Sequence, residues 1–107
     1  MSSTLDQIKA LVDRGAVRIS DHGYDELAAD SILVRDAVQG LPAALLLEDY
    51  PDFPKGPCVL VLEHDQEGRP IHAVWGIAKA ETTPAVLVTA YRPAADRWTD
   101  DFKRRRK

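Results

Sequence analysis

In the first third of the chain apolar residues recur three and four positions apart. Farther on they gather in short runs separated by polar, proline and glycine clusters. Leu5, Ile8 and Val12, with Leu11 alongside, form the stripe of a helix over about residues 4–14, which Ser3 or Thr4 can cap and Gly15 can end. Val17, Arg18 and Ile19 read as a short extended connector. Ser20 or Asp21 then caps a second helix, whose early Asp25 and Glu26 suit the positive end of the helix dipole and whose inner face carries Tyr24, Leu27, Ala28 and Ser31. Val34, Ala37, Val38 and Leu41 repeat the helical spacing in a third, shorter helix closed by Gly40 and Pro42.

From residue 43 the pattern changes to strands. Residues 43–48 are a compact apolar run, and the segment 50–57, with prolines at 51, 54 and 57, can continue neither regular element. Residues 58–64 and 70–78 predict a hairpin across a polar turn containing Gly68. Residues 85–91 predict a last strand, which Pro93 ends. The expected fold is therefore α+β: N-terminal helices packed on a four-stranded antiparallel meander. Trp98 and Phe102, four residues apart, predict one helical turn docked on the body ahead of a fraying basic end.

At 107 residues the chain fits one domain that buries roughly two-thirds of its unfolded surface. Apolar residues at 45% and charged residues at 29% are ordinary for a folded domain and exclude collagen-like or disordered classes. The lone cysteine, Cys58, lies in an apolar run and reads as a buried, inert thiol suited to a reducing cytoplasm. No secretory signal or membrane span is expected. Five of the fourteen basic residues lie in the run 103–107, which leaves nine in the rest of the chain against seventeen acidic residues. A body of that sign disfavours RNA, since phosphate backbones are met by basic surfaces.

Glycine-rich nucleotide loops, paired-cysteine zinc patterns and HExxH are absent from the sequence, so neither a cofactor nor a metal centre is expected. Glu63, His64, Asp65 and His72 are ligand types without a diagnostic spacing. His72 shares a strand face with Val74 and Gly76. It reads either as a general acid or base beside a glycine gap that admits a ligand, or as a histidine satisfied by a backbone carbonyl. Tyr91 falls on the face of Leu87 and Thr89. Tyr91 and Arg92 either hold a base and a phosphate or cover the sheet edge, with Arg92 paired to Asp96 or Asp100. His22 either hydrogen-bonds the helix start that Asp21 caps or reaches the sheet. Tyr50 and Phe53 either pack back over the sheet or mark a partner-binding patch.

The succession Ile19-Ser20-Asp21-His22, residues 32–38, Glu48-Asp49-Tyr50-Pro51, Gly68-Arg69-Pro70-Ile71-His72-Ala73-Val74 and Val88-Thr89-Ala90-Tyr91-Arg92-Pro93 with Trp98 resembles the domain-of-unknown-function 4258 family. The resemblance covers roughly residues 17–102. That family is similar to a distant branch of the RelE/ParE toxin-like fold, which includes metal-independent endoribonucleases. The resemblance implies site residues at His22, Tyr50, Arg69, His72, Tyr91, Arg92 and Trp98. His72 would be acid or base, Arg69 and Arg92 would hold phosphate, and Tyr91 would orient the nucleotide. Many relatives carry arginines four and eight residues after the first histidine; here those positions are Glu26 and Asp30, which repel phosphate. The expected function is accordingly a non-catalytic interaction module of toxin–antitoxin type, taking an antitoxin-like protein or a second copy through Tyr50 and Phe53. The alternative is an endoribonuclease working through His72.

Overall fold

In a computed structural model describing residues 2–105, the helical stripe of the N-terminus forms α1, Ser3–Asp13. The cap is Ser2, one residue earlier than expected, whose Oγ accepts the Leu5 amide at 3.0 Å. Gly15, at φ 75°, ends the turn that follows. Ser20 caps α2, Asp21–Ala29, accepting the Gly23 amide at 2.9 Å while donating to the Val88 carbonyl at 2.9 Å. One hydroxyl thus both starts the helix and ties it to the sheet.

The inward face of α2 differs from the expected one. Leu27 is buried, but Tyr24 is about half exposed, and Gly23 turns inward instead. A Cβ at Gly23 would lie 2.7 Å from the Leu87 carbonyl oxygen, so only glycine lets the helix sit this close to the strand. α3, Val34–Gly40, passes directly into a 3-10 turn, Leu41–Ala43, which takes the start of the predicted first strand.

The strands are β1, Val17–Ile19; β2, Leu45–Tyr50; β3, Cys58–His64; β4, Pro70–Gly76; and β5, Ala85–Tyr91. Their order is β1-β5-β4-β3-β2, so the four-stranded antiparallel meander is correct for β2 to β5 but incomplete. The connector at residues 17–19 is a fifth strand, parallel to β5 with Val17 opposite Ala85 and Ile19 opposite Leu87. Three residues are too few to show a two-residue period, and a partner nearly seventy positions away leaves no local trace. The sheet is mixed.

All three helices lie on one face of the sheet. Ile8, Leu11, Leu27 and Leu41 meet Val59, Val61, Ile71, Ala73, Trp75 and Leu87 in a single core. A bulge at Val88, opposite the Val74–Trp75 step, shifts the register of β5. It breaks the expected grouping: Leu87 points into the core, whereas Thr89 pairs with Val74 and Tyr91 with His72 on the other face.

Residues 93–105 return across that second face. A single turn closes at Ala94, whose carbonyl accepts the Arg97 amide at 3.0 Å and the Trp98 amide at 3.2 Å, but it does not continue to Phe102; Trp98 instead forms an antiparallel bridge with Arg105. The Thr99 amide donates to the Arg104 carbonyl at 2.8 Å, and Phe102 adopts φ 60° at the reversal. Trp98 is buried against the sheet, and that docking replaces helical spacing as the cause of the strap's shape. Residues 106 and 107 of the basic run, whose end is expected to fray, lie outside the described residues. Among the described residues no helix is long and apolar enough to cross a membrane.

Candidate functional site

The β3–β4 turn is organised by Asp65, buried although charged. Its Oδ1 accepts the amides of Glu67 and Arg69, each at 2.9 Å, and Gly68 takes the φ of 81° that the turn needs. Its Oδ2 takes the Arg92 guanidinium at 2.9 Å and that of Arg69 at 3.3 Å. Burial opposes the charge of Asp65, but the Arg69 amide, the Arg92 guanidinium and the Glu67 amide outweigh it and hold the carboxyl below its usual range. The second arm of Arg92 donates to the Pro70 carbonyl at 3.1 Å, and its backbone amide donates to Asp30 Oδ2 at 2.7 Å. Arg92 is therefore a clasp joining β5, the β3–β4 turn and the end of α2. Its partner is Asp65 rather than Asp96 or Asp100. Asp30, expected to repel phosphate, ties α2 to the end of β5.

His72 lies on the strap side of β4 and is fully buried. Its Nε2 lies 2.7 Å from the Phe102 carbonyl oxygen, which can only accept, so Nε2 carries the proton and Nδ1 is left as a buried acceptor without a partner among the described residues. Trp98 meets the ring edge-on at a centroid separation of 4.2 Å, and Tyr91 flanks it at 5.5 Å. Burial pulls the imidazole below its usual pKa, with Arg105 acting in the same direction; the Phe102 carbonyl and Glu48 act against it. Burial likewise pushes the Tyr91 phenol up. Of the two readings of His72, the geometry matches the histidine held by a backbone carbonyl.

Beside this strap the same sheet face opens into a cleft of about 470 Å³. Cys58, Leu60, Val74 and Val86 floor it, Tyr50 and Phe53 wall it on the loop side, and Tyr91 and Arg105 wall it on the strap side. Tyr50 and Phe53 each remain about half exposed. The Tyr50 hydroxyl donates to Glu48 Oε1 at 3.0 Å, and Arg105 reaches the same oxygen at 3.4 Å while lying 4.7 Å above the Trp98 ring. Hydrogen bonding to Glu48 pushes the Tyr50 phenol up. The loop is anchored by Gly56 at φ 124°, where any Cβ would strike the Ile77 carbonyl oxygen. Gly76 lines the cleft but opens no gap: Cys58 Cβ and the Pro57 carbonyl oxygen each lie 3.2 Å from where its Cβ would be. Cys58 is only partly covered, with burial pushing its thiol up.

The expected site residues thus separate into four places. Arg69 and Arg92 converge on Asp65. His72, Tyr91 and Trp98 stack under the strap. Tyr50 and Phe53 edge the cleft. His22 is exposed on α2, 3.6 Å from Glu26, and among the described residues it bonds neither the helix start nor the sheet. Sequence reading missed Asp65 as an anchor, although an aspartate three residues before a turn glycine was its available signal. Glu63, named only as a ligand type, is instead almost fully buried on the core side. Glu63 Oε2 accepts the Trp75 indole N–H at 3.0 Å, its Oε1 has no partner among the described residues, and burial pushes its carboxyl up to about 8.

No curated protein and no solved structure matches the chain. Residues 19–92 match the family described as Domain of unknown function (DUF4258), a segment that holds the Asp65 clasp, His72, Tyr91 and the cleft floor. By that match the chain belongs to the DUF4258 family.

Proposed function

We propose that this protein is a non-catalytic interaction module of toxin–antitoxin type on a RelE/ParE-like scaffold, acting in the cytoplasm and docking an antitoxin-like protein along β2 and the loop that follows it. The observation that carries this reading is where exposed apolar side chains collect. Leu45, Leu46, Tyr50 and Phe53, four of the seven large exposed hydrophobic residues among the described ones, fall within residues 45–53, on and just beyond an edge strand. An edge strand offers unpaired backbone donors and acceptors to an added strand, and flanking apolar side chains supply the burial that makes such pairing stable. The residues on which the endoribonuclease reading would draw already have partners: Arg69 and Arg92 pair with Asp65, and His72 bonds the strap.

The test is capture from native lysate by wild type, by Tyr50→Asp/Phe53→Asp, and by Tyr24→Asp as an exposed control on α2. A partner retained by wild type and Tyr24→Asp but lost by the double variant supports the reading. A concentration-dependent dimer lost in the same variant assigns the surface to a second copy. A monomer that captures nothing, or metal-free cleavage of unstructured RNA that disappears in His72→Gln, overturns it, the latter in favour of the endoribonuclease.

A further inference from the structure

The cleft has a charge pattern that the molecule as a whole lacks. The chain carries a net charge of -3, yet the charged residues lining the cleft are Arg18, Lys55 and Arg105 against Glu48 alone. Glu48 is already engaged by Arg105 and the Tyr50 hydroxyl. Arg18, exposed on β1, and Lys55, exposed on the loop, have no anionic partner among the described residues. Between these cations the floor is aliphatic, and at about 470 Å³ the volume falls within the range of small-molecule sites, far below that of a folded partner.

We propose that this cleft binds a small amphiphilic anion, its apolar body on Leu60, Val74 and Val86 and its carboxylate or phosphate head between Arg18 and Lys55. A head group placed there meets positive potential and remains in water, so it avoids the cost of burying a charge. The tail displaces water from aliphatic surface, which is the favourable term. A cationic head of the same length would face two unpaired positive charges. Such a ligand neither requires nor excludes a protein at β2: it enters from the open face, and the outer halves of Tyr50 and Phe53 stay exposed.

Decanoate, monodecyl phosphate and decyltrimethylammonium, each below its micelle-forming concentration, are titrated into the full chain while methyl resonances are followed by NMR. Saturable shifts confined to Leu60, Val74 and Val86 are expected with the anions, at least tenfold tighter than with the cation. The sole cysteine, Cys58, on the cleft floor should react more slowly with a thiol reagent when the anion is bound. Arg18→Glu/Lys55→Glu changes two exposed side chains and leaves the floor intact. It should weaken the anions at least tenfold and leave the cation no weaker. The ratio of decanoate to decyl phosphate affinity tells which head group the site prefers. Absence of saturable shifts at the floor, equal binding of the cation, or unchanged anion affinity in the double variant would overturn the proposal.

Discussion

The two faces of the sheet bury polar groups in opposite ways. On the helix-covered face Glu63 is enclosed by Trp75 and the end of α3, with one carboxyl oxygen bonded and the other without a partner among the described residues, so it is held neutral as an acid. On the strap-covered face His72 is enclosed by Trp98 and Phe102, with one ring nitrogen bonded and the other without a partner among the described residues, so it is held neutral as a base. Each face suppresses a charge, because a low-dielectric interior penalises whichever form is ionised. The covers differ. Three helices packed through a continuous core close the first face, whereas a thirteen-residue strap and one loop close the second, with a cleft left between them. Burial of a polar group alone therefore does not tell the two faces apart; the thickness of the cover does.

This contrast can be broken first by pH. The folded pKa of Glu63, about 8, lies above its ordinary 4.5, so the folded state holds a proton that the unfolded chain releases. Stability from this group is complete below about pH 4.5 and falls as pH rises towards 8, by on the order of 5 kcal/mol across the window. The lowered pKa of His72 has the opposite sign: its contribution is present above the ordinary value of 6.5 and is lost as pH falls through the folded value. Denaturant unfolding from pH 4 to pH 9 should show the loss on the alkaline side flattened in Glu63→Gln and the loss on the acid side flattened in His72→Gln. Slopes unchanged in both variants would refute the assignment.

A smaller effect separates the two covers. Trp75→Ala removes a fully buried side chain from the core and is expected to cost about 3–5 kcal/mol of global stability. Trp98→Ala should cost about 1–3 kcal/mol and act mainly by local opening, with faster amide exchange at Thr99 and Phe102. Equal global losses would mean that the strap is as integral as the helices. The smallest effect concerns Arg105, an exposed residue whose pair with Glu48 is screened by solvent. Arg105→Ala should change stability by less than about 1 kcal/mol while accelerating exchange in the strap.

Much of this was legible in local pattern. Leu5, Ile8, Leu11 and Val12 mark α1, because a helix that must bury one side repeats apolar residues at its own period. The Asp65–Gly68 turn and the shared face of His72 and Val74 follow from chemistry within a few residues. The pairing of Tyr91 with His72 depends on the Val88 bulge, which is a property of two strands together. The same holds for β1, whose three residues become a strand only beside β5, and for Gly23, whose missing side chain is used by the Leu87 carbonyl.

The candidate site shows the division most clearly. Its residue types could be named in advance: two arginines, a histidine and a tyrosine at strand ends. Their occupations could not. Arg92 is committed by Asp65 and Asp30, and His72 by a carbonyl thirty residues later in a strap that the four-residue spacing of Trp98 and Phe102 misrepresents as helical. Hydrophobic period, capping and turn chemistry are short-range and are written in neighbouring residues. Whether a charged or titratable side chain is free to act depends on long-range partners that compete for its hydrogen bonds, and only the folded chain brings those partners within reach.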